Sequence, residues 1–509
     1  MNQANRILLN TIAQYIKVIV GAIILLYSTR LVFQQLGDID YGIYSLIAGL
    51  LAFFTFLGTA LSRSTQRYLS FSMGGHDSLE LKRVFFNSLF LHFIVATISA
   101  IVVFLFEPIL FDHYLVITEE RLLIAKILYR FLAVGLFFTI LQCPYNAAFI
   151  AHENIVFVSV LYIAMAILRL AFAFIIIFLD SGTKLLVYGV LMSLSHILEY
   201  LVLLIVSTRC YAETKCIKEI KLFDKGIIKE MFLYTLWTAY GAFCIMGRSQ
   251  GYSLVINRYM GLAVNASYGI ASQVAGQVNN LVYSVSNAVS PVISRSEGAM
   301  ERDRMIYFSY ESSKLSLISY ALIAMPLIVE MRYILTIWLG SIPDYAVEII
   351  TIILISSFLD TVASGLRTGI QAIGNIATFS KVVYTIKVFS LPLAFFLCRI
   401  TTNIYASFLP FLISELIGTI TTVYYFSKYT QTTQRNAYSK ILIISLPTVL
   451  VSVLTCIILH CIISTDSFIK LIIICIISIL SSLMIAYFTA LDIKEKKYIK
   501  KIITKWHHS

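Results

Sequence analysis

Charged residues are scarce in this chain. Asp, Glu, Lys and Arg make up 13 % of its 509 residues, and 59 % are hydrophobic, whereas a typical soluble domain carries about 25 % charged residues. Proline is rare as well, with only 8 residues. No polar stretch is long enough to form a soluble domain. These shortages exclude an ordinary soluble protein and indicate a polytopic helical membrane protein.

Several enzyme and binding signatures are also missing. The sequence contains neither the ATP-binding motif G-x-x-x-x-G-K-[ST] nor the zinc motif H-E-x-x-H. Its 8 Cys form no C-x-x-C pair and its 8 His are dispersed, so we expect no disulfides, metal site or cofactor. The net charge of +12 comes from short gaps between apolar runs, and nucleic-acid motifs are absent. We therefore expect neither an enzyme nor a nucleic-acid partner.

Fourteen apolar runs are long enough to cross a bilayer as helices, since about 20 apolar residues span its hydrocarbon core. They cover residues 9–33, 41–61, 84–106, 122–142, 155–179, 185–208, 231–256, 264–290, 306–330, 346–370, 378–398, 404–426, 441–463 and 468–491. The first run is too long for a cleaved signal peptide, so we expect a retained helix.

Basic residues predict the orientation of these spans. With the N-terminus placed inside, the inside segments hold 24 Lys and Arg residues and the outside gaps hold 6, when Lys381 and Lys470 at the ends of their spans are counted with the adjoining gaps. Cytoplasmic segments are enriched in Lys and Arg, so the imbalance predicts that both termini are cytoplasmic. One missed span would invert every gap after it, so the imbalance also supports the count of fourteen.

A long basic segment separates two groups of six spans. Its charges alternate with Ile and Leu, which predicts a cytoplasmic amphipathic helix. Tyr-Gly-Ile opens the second span of each group, at 41–43 and 268–270, which supports an internal repeat of the kind found in transporters. The predicted divisions are an N-lobe at 1–208, a linker at 209–230, a C-lobe at 231–426, a cytoplasmic loop at 427–440, two further spans at 441–491 and a basic tail at 492–509.

One predicted span carries a row of polar side chains. Residues 262–294 include no charge, but five polar residues recur on one helical face opposite a row of Val. Amides that face hydrocarbon cost several kcal/mol each. The row therefore indicates either amide contacts between helices or the wall of a hydrophilic translocation path. We call it the amide stripe; its members are Gln273, Gln277, Asn280, Ser284 and Asn287.

Basic residues inside two spans are candidates for binding an anionic group. In the first span, Asn10, Gln14 and Lys17 share a helical face, which indicates either a lysine that reaches the membrane interface or a cavity wall. Arg248 lies deep in the seventh span, where a charge is costly. We expect it to be a cavity cation, and a structural ion pair is the alternative.

Two further arginines, Arg63 and Arg67, close the second span at its cytoplasmic end, four residues apart on one face. The enrichment of basic residues inside the cell explains them. The alternative is a basic mouth that attracts an anionic headgroup.

Acidic residues inside spans are candidates for proton coupling because their charge is costly there. These are Glu199, Asp360 and Glu415. Asp360 and Arg367 are also seven residues apart on one helical face, so a local ion pair is the other interpretation.

The ordered set of short motifs resembles the polysaccharide and O-antigen flippases of the multidrug/oligosaccharidyl-lipid/polysaccharide exporter superfamily, over the whole chain. The residues that carry the resemblance are Arg30, Leu36-Gly37, Tyr41-Gly42-Ile43-Tyr44, Arg67-Tyr68, Ile334-Leu335-Thr336-Ile337-Trp338-Leu339-Gly340, Pro343, Tyr345-Ala346 and Gln371-Ala372-Ile373-Gly374-Asn375.

The resemblance implies an all-α integral membrane protein with 14 transmembrane helices, arranged as two six-helix lobes in a V shape like the MATE transporters, plus two C-terminal helices. It implies alternating access in a bacterial plasma membrane, with a lipid-linked oligosaccharide on undecaprenyl pyrophosphate as substrate. Membrane lipids and the glycan polymerase or glycosyltransferases of the same pathway are the implied partners. The implied cavity wall includes Lys17, Arg248 and the amide stripe.

Two other functions compete with a flippase. A multidrug/cation antiporter of the same superfamily usually has twelve helices and acidic cavity residues, which the extra spans and the cationic wall argue against. A membrane glycan polymerase or glycosyltransferase needs long outer loops or a cluster of catalytic carboxylates, and the sequence contains neither.

Overall fold

The computed structural model describes residues 3–75, 77–114, 117, 119–218, 220–339, 342–401, 403–463, 467–490 and 496. Across these described residues all regular structure is helical, which confirms the all-α class. The predicted basic tail at 492–509 lies outside the described residues except for Lys496. The chain divides into two units. Unit 1 is Met1–Ala239 with Ser294–Glu301, and unit 2 is Tyr240–Ile293 with Arg302–Ser509.

Unit 1 is built from six helices and the two ends of a seventh. One of its apolar cores lies between the first three helices, where Ile47, Leu128 and Ile140 are fully buried and the Tyr129 hydroxyl donates to the Val103 carbonyl at 2.8 Å. The helices are α1 (Gln3–Gly74), α2 (Ser78–Ile109), α3 (Glu119–Leu141), α4 (Cys143–Ala151), α5 (Ile155–Ile175) and α6 (Ser181–Cys210), followed by α7 (Lys225–Gly298), which passes through both units.

The long helix α1 is not straight. Gly37 has φ 73° and ψ 177°, a conformation that essentially only glycine adopts without strain. Just after it, the buried Asp40 carboxylate pairs with Arg121 Nε at 3.1 Å, which ties the bend to the start of α3. Gly37 therefore separates the first two predicted spans although the backbone is helical on both sides.

The segment predicted as one amphipathic helix at 209–230 has a different structure. After α6 ends, the chain forms two short 3₁₀ turns, Glu213–Lys218 and Ile220–Leu222, before α7 begins. Asn87 of α2 donates to the Leu222 carbonyl at 2.8 Å and accepts from the Asp224 backbone N–H at 2.9 Å. The alternation of charge and Ile therefore belongs to a linker that packs on α2 and not to a separate interfacial helix.

Unit 2 is built around a second apolar core. The side chain of Tyr320 is fully buried there, and its hydroxyl donates to the Leu354 carbonyl at 2.6 Å. The helices of unit 2, besides the middle of α7, are α8 (Arg302–Val329), α9 (Met331–Leu339), α10 (Ala346–Val362), α11 (Ser364–Ile373), α12 (Ala377–Ile400), α13 (Ile404–Thr430), α14 (Gln434–Tyr438), α15 (Ile444–Ile462) and α16 (Phe468–Thr489).

The helix α7 turns back on itself inside unit 2. The Tyr268 hydroxyl donates to the Ser249 carbonyl at 3.1 Å. In a straight helix, two residues that far apart in sequence would be separated by roughly 28 Å. The chain therefore reverses between them, so the predicted spans 231–256 and 264–290 lie side by side.

The two helices predicted after the second lobe, α15 and α16, pack against α8 within unit 2. In α15, the Ser452 hydroxyl donates to the Ala321 carbonyl of α8 at 3.0 Å and contacts the Ser478 hydroxyl of α16 at 3.1 Å. The Lys314 ammonium of α8 donates to the Ala490 carbonyl at 2.9 Å. These contacts bury the small polar faces of both added helices.

Most of the predicted spans coincide with long apolar helices of the structure. Among the described residues, ten helices are long and apolar enough to cross a membrane, or eleven if the bent pair α10–α11 counts as one span. These coincide with eleven of the predicted runs. The other three, at 41–61, 231–256 and 264–290, lie within α1 and α7. The full count of fourteen and the cytoplasmic termini stay predictions.

Candidate functional site

Unit 2 contains a network of ion pairs between five helices. Arg248 of α7 lies 2.6 Å from Glu415 of α13, and Glu415 lies 2.7 Å from the Lys387 ammonium of α12. Lys387 also lies 2.6 Å from Asp360 of α10, which pairs with Arg367 of α11 at 2.5 Å. We call these five residues the charge network.

The backbone brings these side chains together at two places. The axes of α10 and α11 differ by 44°, and Arg367 still reaches back across this bend to Asp360. At Gly418, an added Cβ would lie 3.1 Å from Lys387 Cε. The small residue therefore leaves room for the lysine stem to pass between α12 and α13.

Burial makes the charge network costly unless every charge is paired. The side chains of Lys387 and Glu415 are 3 % and 4 % exposed, and Arg248 is 8 % exposed. Its guanidinium also stacks 4.1 Å from the centre of the Phe411 ring. Three cations face two carboxylates, so the network carries one net positive charge. Separating such charges from water costs several kcal/mol per ion, and their mutual pairing offsets that cost.

The structure gives Arg248 the geometry of its second interpretation, and its place on a cavity wall stays a prediction. It binds Glu415 and donates to the Ser414 hydroxyl at 3.4 Å, which is the ion-pair alternative. Asp360 and Glu415, the coupling candidates, each hold two cations in the same network.

The amide stripe lies on an open face of α7. Gln273, Gln277, Asn280 and Asn287 are exposed, while Val278, Val282, Val285 and Val289 on the opposite face are buried. Ser284 differs from the other stripe residues, because it is buried and its hydroxyl donates to the Asn280 carbonyl at 2.9 Å. The four exposed amides are therefore available to a polar ligand or to water.

A polar face beside the amide stripe connects α7 to the charge network. The Tyr283 hydroxyl donates to Asp360 at 3.3 Å, and the Asn279 amide donates to the Ser357 hydroxyl at 3.2 Å. Hydrogen bonds thus link the stripe's helix to the buried carboxylate.

In unit 1, the predicted face of the first span is mostly buried. Asn10 and Gln14 are 2 % and 7 % exposed, and the Asn10 amide donates to the Glu153 carbonyl at 2.8 Å. Lys17 is half-buried, with its ammonium 5.4 Å from the centre of the Tyr162 ring. Of the three, Lys17 is the side chain that keeps a substantial exposed surface.

The two arginines at the end of the second span differ from each other. Arg63 is exposed. Arg67 is half-buried and stacks on three aromatic rings, with centres 4.6 Å away for Tyr68, 5.1 Å for Phe71 and 5.4 Å for Tyr234. A cation held over aromatic rings gains stability from them, so Arg67 contributes to the packing of α1 against the first turns of α7.

Glu199, the third coupling candidate, is paired in unit 1. Its carboxylate accepts from Arg169 at 2.9 Å, and the same arginine donates to the Ser195 hydroxyl at 3.1 Å. The pair joins α5 to α6.

Sequence reasoning missed Lys387 and a second cluster around Glu153. This carboxylate is buried, lies 2.7 Å from Arg295 and 3.5 Å from Arg6, and connects the beginning of α1 to the end of α7 within unit 1. The backbone of Gly298 also lies so close to α1 that an added Cβ would be 1.9 Å from the Phe71 carbonyl oxygen. The signal for Lys387 was present, since it is a lysine inside an apolar run.

One short motif, Gly247-Arg248-Ser249-Gln250-Gly251, matches G-x-S-x-G. In hydrolases this pattern forms a strained turn between a strand and a helix. Here all five residues lie inside α7, so the serine is not held in that geometry. Among the described residues there is also no group of three metal-binding side chains.

Comparisons with known proteins agree with this architecture. The family model described as "Polysaccharide biosynthesis protein" matches residues 4–297. No curated protein matches the chain.

Solved structures share the fold at low sequence identity. A MATE protein in the bent conformation has a TM-score of 0.72 at 14 % identity, covering 86 % of this chain and 97 % of its own. An outward-facing multidrug resistance MATE family transporter of the MOP superfamily has a TM-score of 0.70 at 14 % identity, with coverages of 85 % and 96 %. A MOP superfamily transporter from Pyrococcus furiosus has a TM-score of 0.71 at 15 % identity, with the same coverages of 85 % and 96 %. The chain is therefore a multi-pass membrane protein with the MATE fold, and it belongs to the polysaccharide biosynthesis protein family.

Proposed function

We propose that this protein flips a lipid-linked oligosaccharide, carried on undecaprenyl pyrophosphate, across the bacterial plasma membrane by alternating access. The product would serve the assembly of O-antigen and lipopolysaccharide or of a capsule. The supporting observation is the amide stripe, whose exposed Gln273, Gln277, Asn280 and Asn287 share one face of α7, opposite a row of buried Val.

Exposed amides suit a sugar substrate for a physical reason. Sugars and pyrophosphate do not cross about 30 Å of hydrocarbon unaided. Amides both donate and accept hydrogen bonds, so they can replace the water around sugar hydroxyls without requiring one fixed geometry. A pathway lined by amides therefore lowers the barrier for a polar headgroup while the lipid tail stays in the membrane.

Among the predicted cations, Lys17 is the best candidate for the pyrophosphate. It is only half-buried, and an ammonium can donate up to three hydrogen bonds to phosphate oxygens. Arg63 is the candidate at the mouth, because it is exposed, whereas Arg67 is half-buried over three aromatic rings.

Asp360, Glu415 and Glu199 remain candidates for coupling transport to an ion. Each is bound to at least one cation, so a proton would have to displace an ion pair to bind there. We propose that a coupling role for any of them requires such a displacement during the transport cycle.

The test is flipping in proteoliposomes. A lipid-linked oligosaccharide with a fluorescent sugar is followed by its protection from an external quencher. In the double variant Gln277→Val and Asn280→Val we expect about 30-fold slower flipping, since two hydrogen bonds contribute about 1 kcal/mol each. Gln34→Val is the matched control, because it removes an exposed amide of α1 outside the stripe.

The outcome must separate transport from stability. The melting temperatures of the double variant and the control should equal that of the parent protein. Unchanged flipping in a normally folded double variant would remove the stripe from the pathway.

A drug antiporter is the second candidate, because structures that share this fold include a multidrug resistance transporter. The same proteoliposomes can be loaded with a fluorescent organic cation. Export of the cation without flipping of the oligosaccharide would reverse the assignment.

A further inference from the structure

A groove runs along unit 2 between α12 and α13, on a surface separate from the amide stripe. It has a volume of about 630 Å³. The rims are apolar and exposed, with Phe389 and Leu393 on α12 and Ile413 and Ile417 on α13. Lys381 lies at one end.

The floor of the groove offers almost no free polar group. The Ser390 hydroxyl donates to the Lys387 carbonyl at 2.7 Å, and the Ser414 hydroxyl donates to the Phe411 carbonyl at 2.8 Å. Because both hydroxyls have partners inside the protein, the surface they present suits hydrocarbon better than water.

The end of the groove is cationic. Lys381 is exposed, and within the described part of the chain no carboxylate pairs with it. The charge pattern of the sequence predicts that this end faces the cytoplasm. An exposed, unpaired lysine at the membrane surface attracts the negative charge of a lipid headgroup.

The length of the groove matches one leaflet. From Lys381 to Leu393 the helix rises roughly 18 Å, and one leaflet supplies about half of the 30 Å of hydrocarbon. An acyl chain of a phospholipid fills that length. A polyprenyl chain that is much longer than one leaflet would leave most of its length outside the groove.

We propose that this groove binds one anionic phospholipid of the cytoplasmic leaflet, with an acyl chain along α12 and α13 and the phosphate at Lys381. This site is independent of the proposed transport substrate.

The position of the groove gives the lipid a role. Ser414 on its floor accepts a hydrogen bond from Arg248 at 3.4 Å. The Ser414 side chain therefore separates the groove from the charge network. A hydrocarbon chain in the groove keeps water away from that network. Ion pairs are stronger where water is excluded, so the bound lipid stabilises the packing of α12 against α13.

The experiment measures lipid binding to the purified full-length protein by native mass spectrometry, with phosphatidylglycerol and phosphatidylethanolamine at equal concentration. The parent protein should retain one phosphatidylglycerol molecule in preference to phosphatidylethanolamine. Lys381→Ala should weaken that binding about fivefold, as expected for the loss of one lysine near an anionic headgroup. Ile417→Trp, which fills the groove, should weaken binding of both lipids.

The control is Lys428→Ala. This lysine is exposed at the end of α13 that is predicted to face the cytoplasm, as Lys381 is, but it lies outside the groove. It should bind phosphatidylglycerol like the parent. Equal losses in Lys381→Ala and Lys428→Ala would show only general attraction to basic residues and would overturn the site.

A third arm distinguishes the lipid carrier. Undecaprenyl phosphate is added at the same concentration as phosphatidylglycerol. If it displaces phosphatidylglycerol from the parent protein but not from Ile417→Trp, the groove holds the carrier lipid and the phospholipid assignment is wrong. Melting temperatures measured in parallel show whether Ile417→Trp is folded. If that variant does not fold, Lys381→Ala still tests the site.

Discussion

At the scale of single residues, Arg248 of α7 and Glu415 of α13 form a buried ion pair. An arginine deep in an apolar run is visible in the sequence, and so is a glutamate in another run. Their pairing is not visible, because Arg248 and Glu415 lie on different helices and are far apart in the sequence. Helical periodicity reports neighbours on one helix, which is why only the pair of Asp360 and Arg367 was anticipated.

The arrangement of the amide stripe, unlike the ion pair between α7 and α13, was predictable from the sequence. Its spacing alone predicted that four amides share a face, and the structure has Gln273, Gln277, Asn280 and Asn287 exposed together. The one departure is Ser284, whose hydroxyl bonds to its own helix backbone. Serine commonly does so because its short side chain reaches the carbonyl four residues earlier.

Charge balance in the network predicts unequal effects for two substitutions. Glu415→Gln removes the negative charge that faces Arg248 and Lys387 and so raises the net charge of the network. We expect it to destabilise the protein by about 3–5 kcal/mol, as for other broken buried ion pairs. Lys387→Met removes the excess charge and leaves one arginine for each carboxylate, so its cost should be smaller. Thermal unfolding of the purified variants measures both.

A double variant supplies the control for this prediction. Arg248→Met combined with Glu415→Gln removes both partners, so the combined cost should be less than the sum of the two single costs. If Lys387→Met is as damaging as Glu415→Gln, charge balance does not govern the network.

Helices were the most predictable level of the structure. Long apolar runs must form helices in a membrane because every backbone group needs an internal partner, and eleven predicted runs coincide with spanning helices. The linker at 209–230 was not predictable in the same way. Its alternating Ile and Lys residues fit an amphipathic helix, but hydrogen bonds to Asn87 hold its end against α2.

The bend in α1 gives a prediction at the level of one helix. Gly37→Ala forces a side chain into a backbone conformation that costs about 1–3 kcal/mol for residues other than glycine. Nothing lies within 4 Å of an added Cβ there, so strain and not a clash should lower the melting temperature.

Gly49→Ala is the matched control in the same helix. An added Cβ at Gly49 also meets nothing within 4 Å, but its φ is not positive. Alanine is a better helix former than glycine by up to about 1 kcal/mol, so the melting temperature should stay equal or rise. Equal losses at both positions would mean that the bend stores no strain.

For the whole molecule, composition and charge pattern predicted the all-α membrane class, and the family and fold agree with it. The division of the chain was less predictable. Residues Ser294–Glu301 belong to unit 1 although unit 2 precedes and follows them. Hydropathy carries no information about that, because contacts between residues far apart in the sequence hold this segment in unit 1, such as those of Arg295 with Glu153 and of Gly298 with α1.

Native cysteines can test the predicted orientation of the whole chain. Cys210 and Cys461 are both exposed. Each lies in the last turn of its helix, α6 or α15, and the charge pattern predicts the cytoplasmic side for Cys210 and the outer side for Cys461.

A membrane-impermeant maleimide applied to intact cells should therefore label Cys461, and Cys461→Ser should abolish most of the labelling. Cys210→Ser should change the labelling only after the cells are opened. If intact cells lose label in Cys210→Ser instead, the orientation is inverted and the termini lie outside, because an impermeant reagent labels thiols on the outer face of the membrane.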